Sequence, residues 1–203
     1  MTKRMLIVGL LGGVASGKSL IARQLCELGA GLLDGDRAGH EVLRLPEIER
    51  QVRALWGEAV FAPDGRIDRK ALGKIVFAPP PDGPRELQRL EELTHPEIGT
   101  RLRLQAEELA RAGRTVAVLD APVMLKAGWD KFCDRIVFVD APHEVRLARA
   151  IGRGWNQEDF AAREAAQEAL EVKRAHADTV IDNSGSPEHA QAQVERFWQS
   201  LIG

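Results

Sequence analysis

Near the start of the chain, Gly12-Gly13-Val14-Ala15-Ser16-Gly17-Lys18-Ser19 fits G-x-x-x-x-G-K-[ST]. These residue types at this spacing suit a polyphosphate. Glycines let main-chain N–H groups turn toward an anion with no Cβ in the way. Lys18 brings a positive charge for the β/γ-phosphates and Ser19 a hydroxyl for Mg²⁺. A helix starting here adds the positive end of its dipole. The alternative is a purely structural glycine loop, and the flanking residues argue against it. Met5–Leu11 is a nearly unbroken apolar run, as expected of a strand buried on both faces. Ile21, Leu25 and Leu28 then recur at helical spacing. Gly13 to Ser19 are therefore the candidate nucleotide-binding residues.

Phosphoryl transfer asks for more than a cradle: a metal ion, a group to deprotonate or orient the nucleophile, and positive charge over the transferring phosphoryl. Leu32-Leu33-Asp34 reads as a short strand ending in Asp34-Gly35-Asp36. Ligands of parallel α/β sheets lie beyond the carboxyl ends of the strands. A carboxylate at the end of a strand next to the phosphate loop can reach an acceptor hydroxyl, so both aspartates are candidates for acceptor contact. Asp36 is the preferred base, and Asp34 is structural or water-linked to Mg²⁺. The competing reading is that they cap a helix starting at Arg37. Asp120 closes the strand Thr115–Asp120 and is a candidate Mg²⁺ ligand with Ser19, or else a turn residue ahead of Pro122. Arg149 and Arg153 lie four apart beside Gly152-Arg153-Gly154-Trp155, with Arg146 one turn earlier. They suit a closing lid, or else a solvated helix face. His95, in His95-Pro96, is read as a turn within the stretch that should hold the acceptor.

The elements that must position these groups follow from the apolar pattern. Five short strands, at Met5–Leu11, Leu32–Asp34, Thr115–Asp120, Arg135–Asp140 and Thr179–Asp182, alternate with helical segments. That is the signature of an α/β fold with helices on both faces of a parallel sheet. Between the second and third strands the spacing predicts helices over 37–45, 46–56, 68–77 with Asp68 as N-cap, 85–93 and 96–112. From His143 to Ala177 the pattern is helical with one interruption at residues 152–155. Ala78–Pro84 reads as a rigid loop.

The bulk composition narrows the classes. A chain of 203 residues suits one domain, or a core with an insertion. A net charge of −2 gives no reason to expect a nucleic-acid or membrane surface. No apolar run approaches a membrane span, and the charged Met1–Arg4 leads into a strand rather than a signal peptide. Cys26 and Cys133 lack metal spacing and read as buried thiols of a cytoplasmic protein.

The chain resembles the dephospho-CoA kinase family over nearly its whole length. The resemblance rests on Gly9–Ser19, Leu33-Asp34-Gly35-Asp36, Gly65–Leu72 with Val76-Phe77, Leu90–Ile98 with His95-Pro96, Arg163–Gln167, and Ala177–Ser186. It implies a P-loop three-layer fold with a five-stranded parallel sheet. The core would be residues 1–35, 113–142 and 178–203, with a helical acceptor insertion at 36–112 and a lid at 143–177, all within one domain of 203 residues. It implies Mg²⁺-dependent transfer from ATP to the ribose 3′-hydroxyl of dephospho-CoA. Asp36 then matches the acidic catalytic residue, Arg149 and Arg153 the lid arginines that join Lys18 in catalysis, and Asn183 the adenine-side loop. The chain departs from the family at Lys126, where Glu is usual, and at Leu20, Gly35 and Gly154-Trp155. Other readings are a different P-loop nucleoside or nucleotide kinase, and a non-catalytic nucleotide-binding regulator favoured by Lys126.

Overall fold

A computed structural model describes residues 4–203; most of the charged stretch Met1–Arg4 thus lies outside the described residues. The chain divides into two compact units, Met1–Asp34 with Gln105–Gly203, and Gly35–Leu104.

The first unit is built on five strands: β1 (Leu6–Gly12), β2 (Gly31–Asp34), β3 (Val116–Asp120), β4 (Arg135–Asp140) and β5 (Thr179–Asp182). All pair in parallel, in the order β2-β3-β1-β4-β5. Each strand lies within a residue or so of its expected span. The neighbour of the phosphate-loop strand differs from expectation: β3, not β2, pairs with β1 on that side. Asp34 is thus one strand further out than the reading that placed it next to the phosphate loop.

Strand alternation explains how the sheet is covered. Val8 and Leu10 of β1 point into a core with Ile21 and Leu25 of α1 (Lys18–Glu27) and Val194 and Trp198 of a closing C-terminal helix (Pro187–Ile202). Gly9 points the other way. A Cβ there would sit 2.7 Å from Met124 Sδ and 2.8 Å from Cys133 Sγ, so the connector after β3 covers that face. Cys26 and Cys133 are half-buried rather than buried. Burial, with Asp130 and Asp134 nearby, pushes the Cys133 thiol up to about 12.

In the second unit lie α2 (Gly35–Val42), α3 (Pro46–Trp56), α4 (Arg69–Val76) and most of α5 (Asp82–Arg111), whose last turns belong to the first unit. Asp68 caps α4 as expected, accepting from Lys70 N at 2.8 Å and Ala71 N at 3.2 Å. Two expectations fail. Helix α2 begins at Gly35, so Asp36 is inside its first turn rather than before it. The helices expected over 85–93 and 96–112 are one, and its start takes in Asp82–Pro84 of the supposed rigid loop. His95-Pro96 is therefore not a turn. Pro96 donates no helical hydrogen bond, but Thr94, Ile98 and Leu102 form one buried stripe across it. Packing of that stripe outweighs the missing bond.

The stretch 143–177 has two breaks, giving α6 (His143–Gly152), α7 (Gln157–Ala165) and α8 (Leu170–Ala175), and the C-terminal helix is α9. The first break falls where expected, with Gly154 at φ +85°. The second, at residues 166–169, has no glycine or proline to mark it.

Leu25→Ala should lower stability by about 2–5 kcal/mol, because Leu25 is fully buried between α1 and the sheet. Urea unfolding of the variant against the parent measures this.

Candidate active site

The loop after β1 is shaped by residues that other side chains could not replace. Gly12 has φ +155°, and a Cβ on it would lie 2.6 Å from Ser16 Oγ and 2.7 Å from the Val139 carbonyl. Gly17, the residue before α1, has φ +98°, and a Cβ there would run into Asn183 Nδ2. No side chain caps α1 and no acidic residue stands in its first turn. The amides of that turn and the dipole end are thus kept for an anion rather than a cap.

The loop's carbonyls are bound from behind. Asn183 Nδ2 donates to Ser16 O at 2.7 Å, and Arg149 Nη1 donates to the same oxygen at 3.1 Å. Arg149 Nη2 also donates to Asn183 O at 2.8 Å. Arg146 Nη1 reaches Val14 O at 3.4 Å, its Nε reaches Ala141 O at 3.1 Å, and it ion-pairs with Glu164 of α7. Lys18 Nζ lies 3.4 and 3.5 Å from the carbonyls of Gly12 and Gly13. Helices α6 and α7 also pack directly on the loop, with Ala150 and Phe160 against Val14. Two buried polar atoms here, Ser16 Oγ and Asn183 Oδ1, have no hydrogen-bond partner among the described residues.

Ser19 and Asp120 are brought together: Ser19 Oγ donates to Asp120 Oδ2 at 3.0 Å. A hydroxyl beside a carboxylate is a hard-oxygen pair of the kind Mg²⁺ takes together with phosphate oxygens and water. Asp34 pairs in register with Asp120, so the two lie side by side at the carboxyl edge of the sheet.

In the second unit, Asp36 is exposed at the N-terminal end of α2, where its charge favours the helix dipole. Helix α2 meets α5 at two levels, Gly39 against Ile98 and Glu41 with Arg101 at 3.5 Å. Asp36 lies one turn before Gly39 in α2, and His95 one turn before Ile98, within the length of α5.

Helix α6 ends at Gly152 with Arg153 as its C-cap residue; burial, then the charge of Arg153, lowers the Arg149 pKa. Their surroundings differ. Arg149 is engaged with main-chain carbonyls, whereas Arg153 is exposed at the end of α6. Lys126 is exposed in the connector after β3.

One residue had no sequence signal. Lys173 of α8 is 1% exposed, with its ammonium donating to Gln167 Oε1 at 2.7 Å. Burial, then the charge of Lys18, pushes its pKa down to about 8. Its placement depends on the second helix break, which the periodicity did not show.

Comparison with known proteins shows the family. A family model described as dephospho-CoA kinase matches residues 6–189. A dephospho-CoA kinase of Symbiobacterium thermophilum is 42% identical, over 98% of this chain and 82% of that protein. A solved structure of a Thermus thermophilus protein superposes with a TM-score of 0.81 at 34% identity, covering 99% of this chain and 100% of that one. A Campylobacter jejuni dephospho-CoA kinase shares the fold, with a TM-score of 0.65 at 22% identity and 98% coverage of both chains.

Gly17→Ala should abolish the rise in melting temperature that ATP gives the parent protein, since the new methyl meets Asn183 and disfavours the left-handed backbone. A thermal shift with and without ATP reads this directly.

Proposed function

The chain belongs to the dephospho-CoA kinase family, whose reaction is ATP-dependent phosphorylation of dephospho-CoA, and from that premise we propose which residues carry each part of the transfer. The observation that carries the assignment is the Ser19–Asp120 pair beside a loop whose amides are kept for an anion.

Residues Gly13 to Ser19 hold the ATP phosphates through main-chain N–H groups, with Lys18 against the β- and γ-phosphates. Ser19 and Asp120 hold Mg²⁺, which when bound neutralises charge on those phosphates. Asn183 shapes the nucleotide side of the loop through its bond to Ser16 O. Arg149 acts from behind the loop, and Arg153, exposed one turn on, supplies charge to the transferring phosphoryl.

Asp36 is the base. Its carboxylate takes the proton of the ribose 3′-hydroxyl as that oxygen bonds to the γ-phosphorus. The bond from phosphorus to the β–γ bridging oxygen breaks, and ADP leaves. His95, within α5, contacts the acceptor, and Asp34 supports the acceptor from the end of β2. This reading makes residues 36–112 the acceptor insertion and 143–177 the lid of a single domain, with the remaining segments its core. The free thiols support a cytoplasmic setting, and no helix among the described residues is long and apolar enough to cross a membrane.

Asp36→Asn should keep ATP binding and reduce turnover by roughly 10²–10⁴-fold, the usual range for a lost general base. Arg153→Ala should lower kcat more than it raises the KM for dephospho-CoA. Both are measured as dephospho-CoA-dependent ADP release. Unchanged turnover in the first variant would leave Asp36 only a helix-end charge, and an effect of the second confined to KM would make Arg153 a binding residue.

A further inference from the structure

Lys173 is almost wholly buried, yet the hydrogen bond it makes is to a neutral amide oxygen, Gln167 Oε1 at 2.7 Å. An ammonium has three donors and is strongly hydrated in water. The charged groups that bear on it are Lys18 of α1, Arg146 of α6 and Glu168 before α8. Two of these three are cations, and Arg146 is itself paired with Glu164. Helix α8 packs on β1, and its Leu170 side chain lies 3.1 Å from where a Cβ on Gly13 would stand. The buried cation is thus held against the phosphate loop with more positive than negative charge bearing on it.

Such an arrangement weakens the folded protein in the absence of an anion. The folded-state pKa, about 8, lies below the ordinary lysine value of 10.5. Between those values the unfolded chain holds a proton that the folded chain lacks, so stability rises with pH through that window. Below about 8 the penalty is present in full. A bound polyphosphate supplies the missing negative charge.

We propose that Lys173 is a positioning residue of the nucleotide site: held by Gln167 beside Lys18, its ammonium ties the seating of α8 on the phosphate loop to the arrival of a polyphosphate. The inference rests on the reading that Gly12–Ser19 bind ATP. A residue that only packs α8 would raise stability with and without nucleotide alike, whereas Lys173 lowers it without nucleotide and strengthens nucleotide binding.

Calorimetric titration of ATP at pH 9, in two buffers of different ionisation enthalpy, tests this on the intact protein. By pH 9 the phosphates of ATP have lost their last proton. Wild type should take up close to one proton per ATP, and its affinity should fall by up to roughly tenfold per pH unit as pH rises through the window. Lys173→Met should melt higher than wild type without ATP at pH 7, bind ATP about tenfold more weakly, and take up no such proton. Lys173→Arg, charged at every pH used, should keep the affinity and lose the proton uptake. ATP binding by wild type without proton uptake, or the same uptake in Lys173→Arg, overturns the proposal while leaving the nucleotide site standing. No ATP binding by wild type overturns both. Should Lys173→Met fail to fold, wild type and Lys173→Arg decide the matter.

Discussion

A loop that binds phosphate through its N–H groups must have its carbonyls turned away and held, and most of the first unit can be understood from that requirement. Glycines at 12 and 17 permit the turn but cannot maintain it, since they are the residues with the most backbone freedom to lose. The holding is done by three side chains distant from the loop in sequence. Asn183 after β5 and Arg149 of α6 take Ser16 O, and Arg146 takes Val14 O. Hydrogen bonds from a charged donor are worth about 1.5–3 kcal/mol each, against roughly half that for neutral pairs. Two guanidiniums behind one loop therefore do more to hold it than the loop's own turn bond, Ser16 N to Gly13 O at 3.2 Å.

The order of the strands has a chemical consequence. Insertion of β3 between β1 and β2 brings Asp120 beside the loop and moves Asp34 one strand outward. Strands are about 4.8 Å apart, so the chain leaves β2 about 10 Å from β1. Asp120 is thereby the strand-end carboxylate that meets Ser19, and Asp34 pairs with it from the outer strand. Two aspartates that look equivalent as strand-end acids are set apart by one strand position.

Charge is handled differently at the two buried cations of this stretch, Arg146 and Lys173. Arg146 is as buried as a core residue, but Glu164 and two carbonyls meet its donors. It therefore fastens α6, α7 and the loop together. Lys173 is buried with a neutral acceptor and like charges nearby, so its environment is incomplete without an anion. The helical stretch 143–177 combines a part that is satisfied by itself and a part that is not.

The five strands, the phosphate loop, the cap at Asp68 and the break at 152–155 were legible in the sequence because each depends on local rules. These are apolar runs, glycine at positive φ, and a short side chain that reaches the next turn. The likeness of motifs such as His95-Pro96 and Val180-Ile181-Asp182-Asn183 extended that reading to the family. Strand order, the continuity of α5 through Pro96, the carbonyl clamp of Arg149 and Asn183, and the burial of Lys173 were decided only by tertiary structure. In each case the deciding energy comes from partners far along the chain: a strand that pairs, a buried stripe that outweighs a lost hydrogen bond, a carbonyl that needs a donor. Arg149 and Asn183 stand 34 positions apart, and only folding places both on the oxygen of Ser16.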